Sequence, residues 1–190
     1  MKALEEKILR EGTVLPGHIL KVGSFLNQQL DCDFLAEMGQ EIARLFAEDR
    51  VTKILTIESS GIAVAVAAGM AMHVPAVFAK KNKSSNVSGD LLKTVVHSYT
   101  HNTDYEVVVA KEYIREDDRV LLVDDFLANG KALEGLCDLV KQAGATVAGA
   151  AIAIEKGFQH GGDALREAGI KVESLAIVEH MSDTSLSFRS

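Results

Sequence analysis

The chain alternates between runs that are apolar throughout and runs with helical periodicity, and this alternation limits its possible folds more than any other feature. In FLAEMGQEIARLFAED, Leu35, Met38, Ile42, Leu45 and Phe46 share one helical face, and the β-rich run TKILTIE follows. IAVAVAAGMAM reads as a helix ending near His73, after which VPAVFAKK resumes as strand. VLLVDD is a further strand. The segment from Gly130 to Ala143 then turns Leu133, Leu136, Cys137, Val140 and Ala143 inward, with Gly144 where a C-terminal cap belongs. TVAGAAIAIE, a short helix around Ala164 to Ala168, and KVESLAIVE complete the series. A strand covered on both faces has no wet side on which polar residues could alternate. Such strands between amphipathic helices predict an α/β fold: an open, mainly parallel sheet with helices on both faces.

At 190 residues the chain suits one domain, 1–190, with a single buried core. Its net charge of -7 argues against a general electrostatic grip on nucleic acid. The longest apolar run, Ile62 to Met72, is far short of the roughly 20 residues that cross a bilayer. The opening MKALEEKILREGTV mixes acids and bases and lacks the apolar stretch of a signal peptide, so a cytoplasmic location is expected, with no membrane partner. Cys32 and Cys137 have no CxxC or Cys/His spacing and read as free thiols. The histidines His18, His73, His97, His101, His160 and His180 show no ligand spacing. His97 and His101 in HSYTH would share a strand face without a third ligand. Two stretches break the alternation: the apolar but irregular VLPGHILKVGSFLNQQLD, and the polar loop KKNKSSNVSGDLLK with Lys80, Lys81 and Lys83. A polar loop this long in a domain of this size suits a lid.

The stretch VLLVDDFLANGKALEGL is where chemistry is expected. Open parallel sheets bind ligands at the carboxyl ends of their strands, where Asp124 and Asp125 fall. The turn that follows leads into a helix, so backbone N–H groups and the helix dipole converge on a spot suited to phosphate. Ala128 and Gly130 let backbone come close, and Gly130 tolerates a positive φ. Carboxylates do not bind phosphate, but beside a phosphate cradle they suit neighbouring hydroxyls and Mg²⁺, the layout of a ribose 5-phosphate. Spacing alone also leaves open a capping role for the acids. The glycines fit neither GxxxxGK[ST] nor GxGxxG.

VLLVDDFLANGKA resembles the phosphoribosyl-diphosphate motif of the type I phosphoribosyltransferases. TIESSGIAVAVAAGMAMHVPAVFAKKNKS and IEKGFQHGGDALREAGIKVESLAIV are similar to the purine-specific members, and VLPGHILKVGSFLNQQLD extends the likeness to nearly the whole chain. The resemblance implies that fold, with about 1–34 as a hood over the base site and about 80–104 as a mobile lid. It implies that Asp124 and Asp125 hold the ribose hydroxyls, directly or through water and Mg²⁺ carried with phosphoribosyl diphosphate, and that Ala128, Asn129, Gly130, Lys131 and Ala132 wrap the 5-phosphate. Many members have Ser or Thr where Asn129 and Ala132 stand, so two hydroxyl donors are missing here. Ser59, Ser60 and Gly61 correspond to the loop that receives diphosphate; from the residues alone, a helix N-cap by Ser59 or Ser60 is the other reading. Lys80, Lys81 and Lys83 lie where members have bases for the departing diphosphate. No protein-held metal site is implied, and a homodimer is.

For the base, a lysine donor at Lys156 favours a carbonyl at the purine 6-position over an amino group. By the resemblance, Asn27 contacts the second carbonyl and Leu20 packs on the ring or offers backbone, while Phe126 and Phe158 are candidates to stack. Hypoxanthine and guanine enzymes usually have an aspartate where Ala128 stands. Xanthine is the stronger acid and arrives partly as an anion, so it is the expected substrate. Two other outcomes belong to the same resemblance. One is a phosphoribosyltransferase for another purine. The other is a non-catalytic phosphoribosyl-diphosphate sensor regulating transcription, although nothing basic or helix-turn-helix-like precedes Leu35.

Overall fold

Val120, Leu121, Leu122 and Val123 are all fully buried, as a strand allows when both of its faces are covered. They lie in β7 (Arg119–Leu127), within an eight-stranded sheet. The computed structural model describes residues 1–81, 89–98 and 103–189. Across the sheet the order is β10 (Leu186–Phe188), β9 (Val172–Met181), β8 (Thr146–Lys156), β7, β3 (Lys53–Ile57), β4 (Ala76–Lys81), β6 (Thr103–Ala110) and β5 (Leu91–Ser98). The five strands from β9 to β4 run parallel, and antiparallel strands extend both edges. Successive side chains of β7 serve two core layers. Leu121 and Val123 join the layer under α2 (Cys32–Leu45) and α3 (Gly61–Met72), while Val120 and Leu122 join the layer under α4 (Lys131–Gln142).

Local chemistry sets the helix ends. Asp31 caps α2, its Oδ1 accepting the Phe34 N–H at 3.1 Å. α3 departs from the amphipathic expectation: it is apolar all round, because one side packs on the sheet and another on α2. A methyl group on Gly39 of α2 would stand 2.4 Å from the Ala67 carbonyl oxygen, so the two backbones cross in direct contact. Val66 and Met70 of α3 are left exposed. α4 begins after Gly130 at φ +85°, and Gly144 at φ +77° stands just past its end, as expected of a cap.

Three other places differ from the sequence expectations. The first residues form α1 (Lys2–Glu11), followed by a hairpin of β1 (Thr13–Leu15) and β2 (Ile19–Lys21) and a π-helical turn, Gly23–Asn27. Leu4, Ile8, Leu20, Val22, Phe25 and Leu26 share the core layer of α2 and α3, so the first 34 residues are built into the domain. Lys7, buried and 5.0–5.4 Å from the Phe25 and Phe34 rings, joins them by donating to Asp31 at 2.7 Å and Glu11 at 3.2 Å. Secondly, 91–98 is strand rather than loop. Leu92 and Val96 are buried, and Val96 lies so close to Gly135 of α4 that a Cβ there would be 2.6 Å from it. Lys83 and His101 lie outside the described residues. Thirdly, α5 (Gly161–Glu167) starts three residues earlier than expected. No helix among the described residues is long and apolar enough to cross a membrane.

Candidate active site

β7 does not end at its two acids. It continues to Leu127 because β8 is long enough to keep pairing, through Phe126 with Ile154 and Leu127 with Glu155. Asp124 and Asp125 are therefore strand residues, both buried, and they make different contacts. Asp125 accepts from Ser60 Oγ at 2.9 Å and from Asn27 Nδ2 at 3.3 Å. Asp124 accepts the Asp125 N–H at 2.9 Å. Burial first, and the Asp125 carboxylate second, push its carboxyl well above the usual carboxylate range, while Lys81 acts in the opposite direction.

The stretch from Glu58 to Gly61 closes over these acids from the end of β3. The Glu58–Ser59 peptide is cis. Neither serine caps α3: Ser60 precedes the helix in right-handed conformation, makes no cap hydrogen bond, and instead donates to Asp125. Gly61 is required for closeness, since a methyl group there would stand 2.4 Å from Thr56 Oγ1 and 2.8 Å from Asp124 Oδ1. Among the described residues the buried Thr56 hydroxyl has no hydrogen-bond partner, and it lies beside the acid pair. Thr56 was not singled out in the sequence, where it is one β-branched residue in a strand.

Ala128 to Ala132 form a turn onto the N-terminus of α4. Asn129 Oδ1 accepts the Lys131 N–H at 3.2 Å, so its amide braces the turn. The Lys131 ammonium turns to Glu134, at 2.7 and 2.9 Å, and what Lys131 offers the turn is backbone. At Gly130 the requirement is conformational: φ is +85°, and a Cβ would meet Gly161 and Leu165 at an ordinary 3.4–3.6 Å. The turn rests on Gly161, whose N–H donates to the Ala128 carbonyl at 3.2 Å. A methyl group on Gly161 would lie 2.3 Å from that oxygen and 2.6 Å from Gly130 N. The next residue, Gly162, is pressed on Glu155, which is 1% exposed and held by Arg166 at 2.7 and 2.9 Å. Neither Gly161 nor the pairing of buried Glu155 with half-exposed Arg166 is marked in the sequence; the adjacent glycines in QHGGD are the available sign.

Lys80 and Lys81, one or both expected to meet the departing diphosphate, project from opposite faces of β4. Lys81 Nζ lies 5.3 Å from the Tyr105 ring centre, and burial first, with the Asp124 charge second, raises the Tyr105 hydroxyl pKa. Lys80 lines a different cavity of about 430 Å³ with Phe78, Val108 and Tyr113.

Lys156 closes the far side, at the end of β8. Its Nζ donates to the His18 carbonyl at 2.9 Å and stands 5.9 Å from the Phe126 ring centre; burial lowers its pKa. The Phe158 ring lies 5.2 Å from that of His18. Leu20 is a buried core residue of β2, and Asn27 reaches the acids from the π-helical turn. The structure thus brings Asn27, Ser60, Asp124, Asp125 and Lys81 around the acid pair, and Lys156 with Phe126 beside the hairpin turn. A cavity of about 780 Å³ is not centred on this site. It runs between α2 and α3, lined by Leu30, Leu35, Ile62, Val66 and Met70, and reaches Asn27, Ser59 and Ser60 at one end.

The arrangement can hold a phosphate on the turn, hydroxyls on the acids, and a flat ring with carbonyl groups near Lys156. Comparison with known proteins identifies the family. The phosphoribosyl transferase domain profile matches residues 24–163. The chain is 50% identical over 188 residues to a xanthine phosphoribosyltransferase of Limosilactobacillus reuteri, covering 99% of this chain and 98% of that one. It is 56% identical over 183 residues to one of Bifidobacterium longum, covering 96% and 95%. Among solved structures, the adenine phosphoribosyltransferase of Trypanosoma brucei, in complex with AMP, pyrophosphate and ribose-5-phosphate, matches with a TM-score of 0.78 at 18% identity, over 95% of this chain and 81% of that one. That of Rhodothermus marinus gives 0.75 at 21%, over 94% and 100%. At these identities the structural likeness speaks for the fold.

Proposed function

We propose, from the premise that this chain belongs to the phosphoribosyl transferase family, that it moves the 5-phosphoribosyl group from phosphoribosyl diphosphate to xanthine, releasing diphosphate and xanthosine monophosphate. It is a purine-salvage transferase of the type I phosphoribosyltransferase fold. The observation that carries the site assignment is the acid pair of β7 set directly before a glycine turn onto α4, with a half-buried lysine on the neighbouring strand.

In this reading the turn from Ala128 to Ala132 binds the 5-phosphate through backbone N–H groups and the α4 dipole. Asp124 and Asp125 accept from the ribose hydroxyls, displacing the contacts that Ser60 and Asn27 now make with Asp125. Those two side chains are then released, Ser60 with Ser59 and Gly61 toward diphosphate and Asn27 toward the base. Leu20 supplies apolar packing. As the bond to diphosphate breaks, positive charge grows on the ribosyl carbon and negative charge on the leaving group, and a purine nitrogen attacks from the opposite face. Lys81 meets the leaving charge. No carboxylate stands at Ala128 to take a proton from the base, which suits xanthine as its anion.

Hard carboxylate oxygens at Asp124 and Asp125 fit Mg²⁺, and among the described residues no three His, Cys, Asp or Glu gather as a separate cage. Asp124 and Asp125 would hold such an ion carried with phosphoribosyl diphosphate, and it would supply neutralisation of phosphate charge. Salvage of this kind belongs in the cytoplasm. Exposed Leu30, Val66 and Met70 along the α2–α3 groove favour a homodimer through that face. Lys80 points to the other side of the sheet from Lys81 and lines its own cavity, so no part in the departure of diphosphate is assigned to it.

Diphosphate release measured with Mg²⁺, phosphoribosyl diphosphate and each of xanthine, hypoxanthine, guanine and adenine tests the proposal: xanthine should give the highest kcat/KM, and a higher value for adenine would overturn it. Lys156→Leu should lose xanthine activity by about tenfold to a hundredfold, the worth of a hydrogen bond from a charged donor, while any adenine activity holds or rises. An unchanged ratio of the two kcat/KM values in folded protein would remove Lys156 from base selection. Lys81→Ala should lower turnover by about tenfold or more with little change in KM for xanthine, because the charge it meets grows in the transition state. Full turnover at saturating substrate would make Lys81 a surface residue.

A further inference from the structure

A lysine that selects a base must be aimed, since its four-carbon stem has many rotamers and its ammonium has no preferred plane. The hairpin between β1 and β2 turns on Pro16, Gly17 and His18, with φ of +82° at Gly17 and +59° at His18. The left-handed region is uncommon for a residue that carries a Cβ, and here it fixes the direction of the His18 carbonyl. That carbonyl accepts from Lys156 Nζ at 2.9 Å across 138 positions of sequence. The His18 ring packs on Phe158, two residues beyond Lys156, with ring centres 5.2 Å apart and planes tilted by 40°. The turn therefore grips the end of β8 at two points, and the Phe126 ring borders the ammonium at 5.9 Å. An ammonium has three N–H bonds, so one committed to His18 leaves two for a ligand in directions set by the first.

We infer that His18 is the positioning residue for Lys156: its left-handed backbone presents the carbonyl that aims the ammonium at the purine 6-carbonyl, so the hairpin turn contributes to base selection through Lys156. The inference rests on the reading of Lys156 as the base-selecting donor. The carbonyl cannot be removed by substitution, but the conformation that aims it can be disfavoured. Valine, β-branched, resists a positive φ, whereas asparagine accepts it, and both lose the ring contact with Phe158. Comparing the two thus separates backbone direction from ring packing.

The experiment measures steady-state kinetics with xanthine, and calorimetric binding of phosphoribosyl diphosphate, for His18→Val, His18→Asn, Lys156→Leu and the double variant His18→Val/Lys156→Leu. His18→Val should raise KM for xanthine by about tenfold, leaving phosphoribosyl-diphosphate affinity and thermal unfolding near the parent values. His18→Asn should stay near the parent. The double variant should be no worse than Lys156→Leu, because a residue acting through Lys156 has nothing left to act on. His18→Ala serves if the valine protein does not fold, and should fall between the other two. Equal loss in the Val and Asn proteins, or additive loss in the double variant, overturns the inference. Loss in Lys156→Leu with none in His18→Val overturns it alone, whereas unchanged xanthine kinetics in Lys156→Leu removes the base reading as well.

Discussion

Gly161→Ala is expected to weaken phosphoribosyl-diphosphate binding by about tenfold to a hundredfold in a protein that still folds. The added methyl group would stand 2.3–2.6 Å from the Ala128 carbonyl oxygen, Asn129 C and Gly130 N, all of them backbone atoms of the turn assigned to the 5-phosphate. Side chains can swing aside but backbone cannot, so the turn itself must move, and overpacking of this kind costs roughly 1–3 kcal/mol. Gly162→Ala is the comparison. There the methyl group would meet Glu155 Oε1 at 2.1 Å, and the strain falls on the Glu155–Arg166 pair rather than on the turn. Calorimetric titration and thermal melting of both proteins separate the two costs: Gly161→Ala should lose affinity chiefly, and Gly162→Ala should lose melting temperature chiefly. Equal phosphoribosyl-diphosphate affinity in Gly161→Ala and the parent would show that the turn does not carry the phosphate.

The parallel centre of the sheet was legible in the sequence because burial on both faces leaves a plain mark: Val120 to Val123 have no polar neighbour to alternate with. The acid pair was legible because two charges in such a run must meet something at the strand end. What pattern reasoning could not give was direction. That Asp125 contacts Ser60 and Asn27, while Asp124 accepts the Asp125 N–H, depends on what long-range elements bring to each strand face, and no local signal in VLLVDDFL carries that. Direction likewise separates Lys80 from Lys81, adjacent in sequence and on opposite sides of the sheet. The hood was opaque for a different reason. Its order comes from long-range partners, Lys7 with Asp31 and the His18 carbonyl with Lys156, and the segment between α1 and α2 is too short in each element to show a period.

Asp124→Asn should abolish most turnover and yet raise the melting temperature of the substrate-free protein, by more the higher the pH. The Asp124 carboxyl is buried beside the Asp125 carboxylate, and both effects disfavour its ionised form, so its pKa lies well above the ordinary 3.8. The folded state thus holds this proton more tightly than the unfolded chain does. The stability that the proton brings is complete below the ordinary value and is lost as pH rises through the raised one. Asparagine keeps the shape of the neutral acid and has no proton to lose, so the variant escapes that decline. The melting-temperature difference should be small at acid pH and widen as pH rises, measured without Mg²⁺ or substrate. Turnover should fall by about a hundredfold, because an amide offers one acceptor oxygen where the ribose hydroxyls and their accompanying cation call for a carboxylate. Opposite signs for stability and activity at one position mark a site whose charge is held at a cost to the fold. A variant less stable than the parent at alkaline pH would mean that Asp124 is ionised and satisfied in the free protein, and that the acid pair is structural.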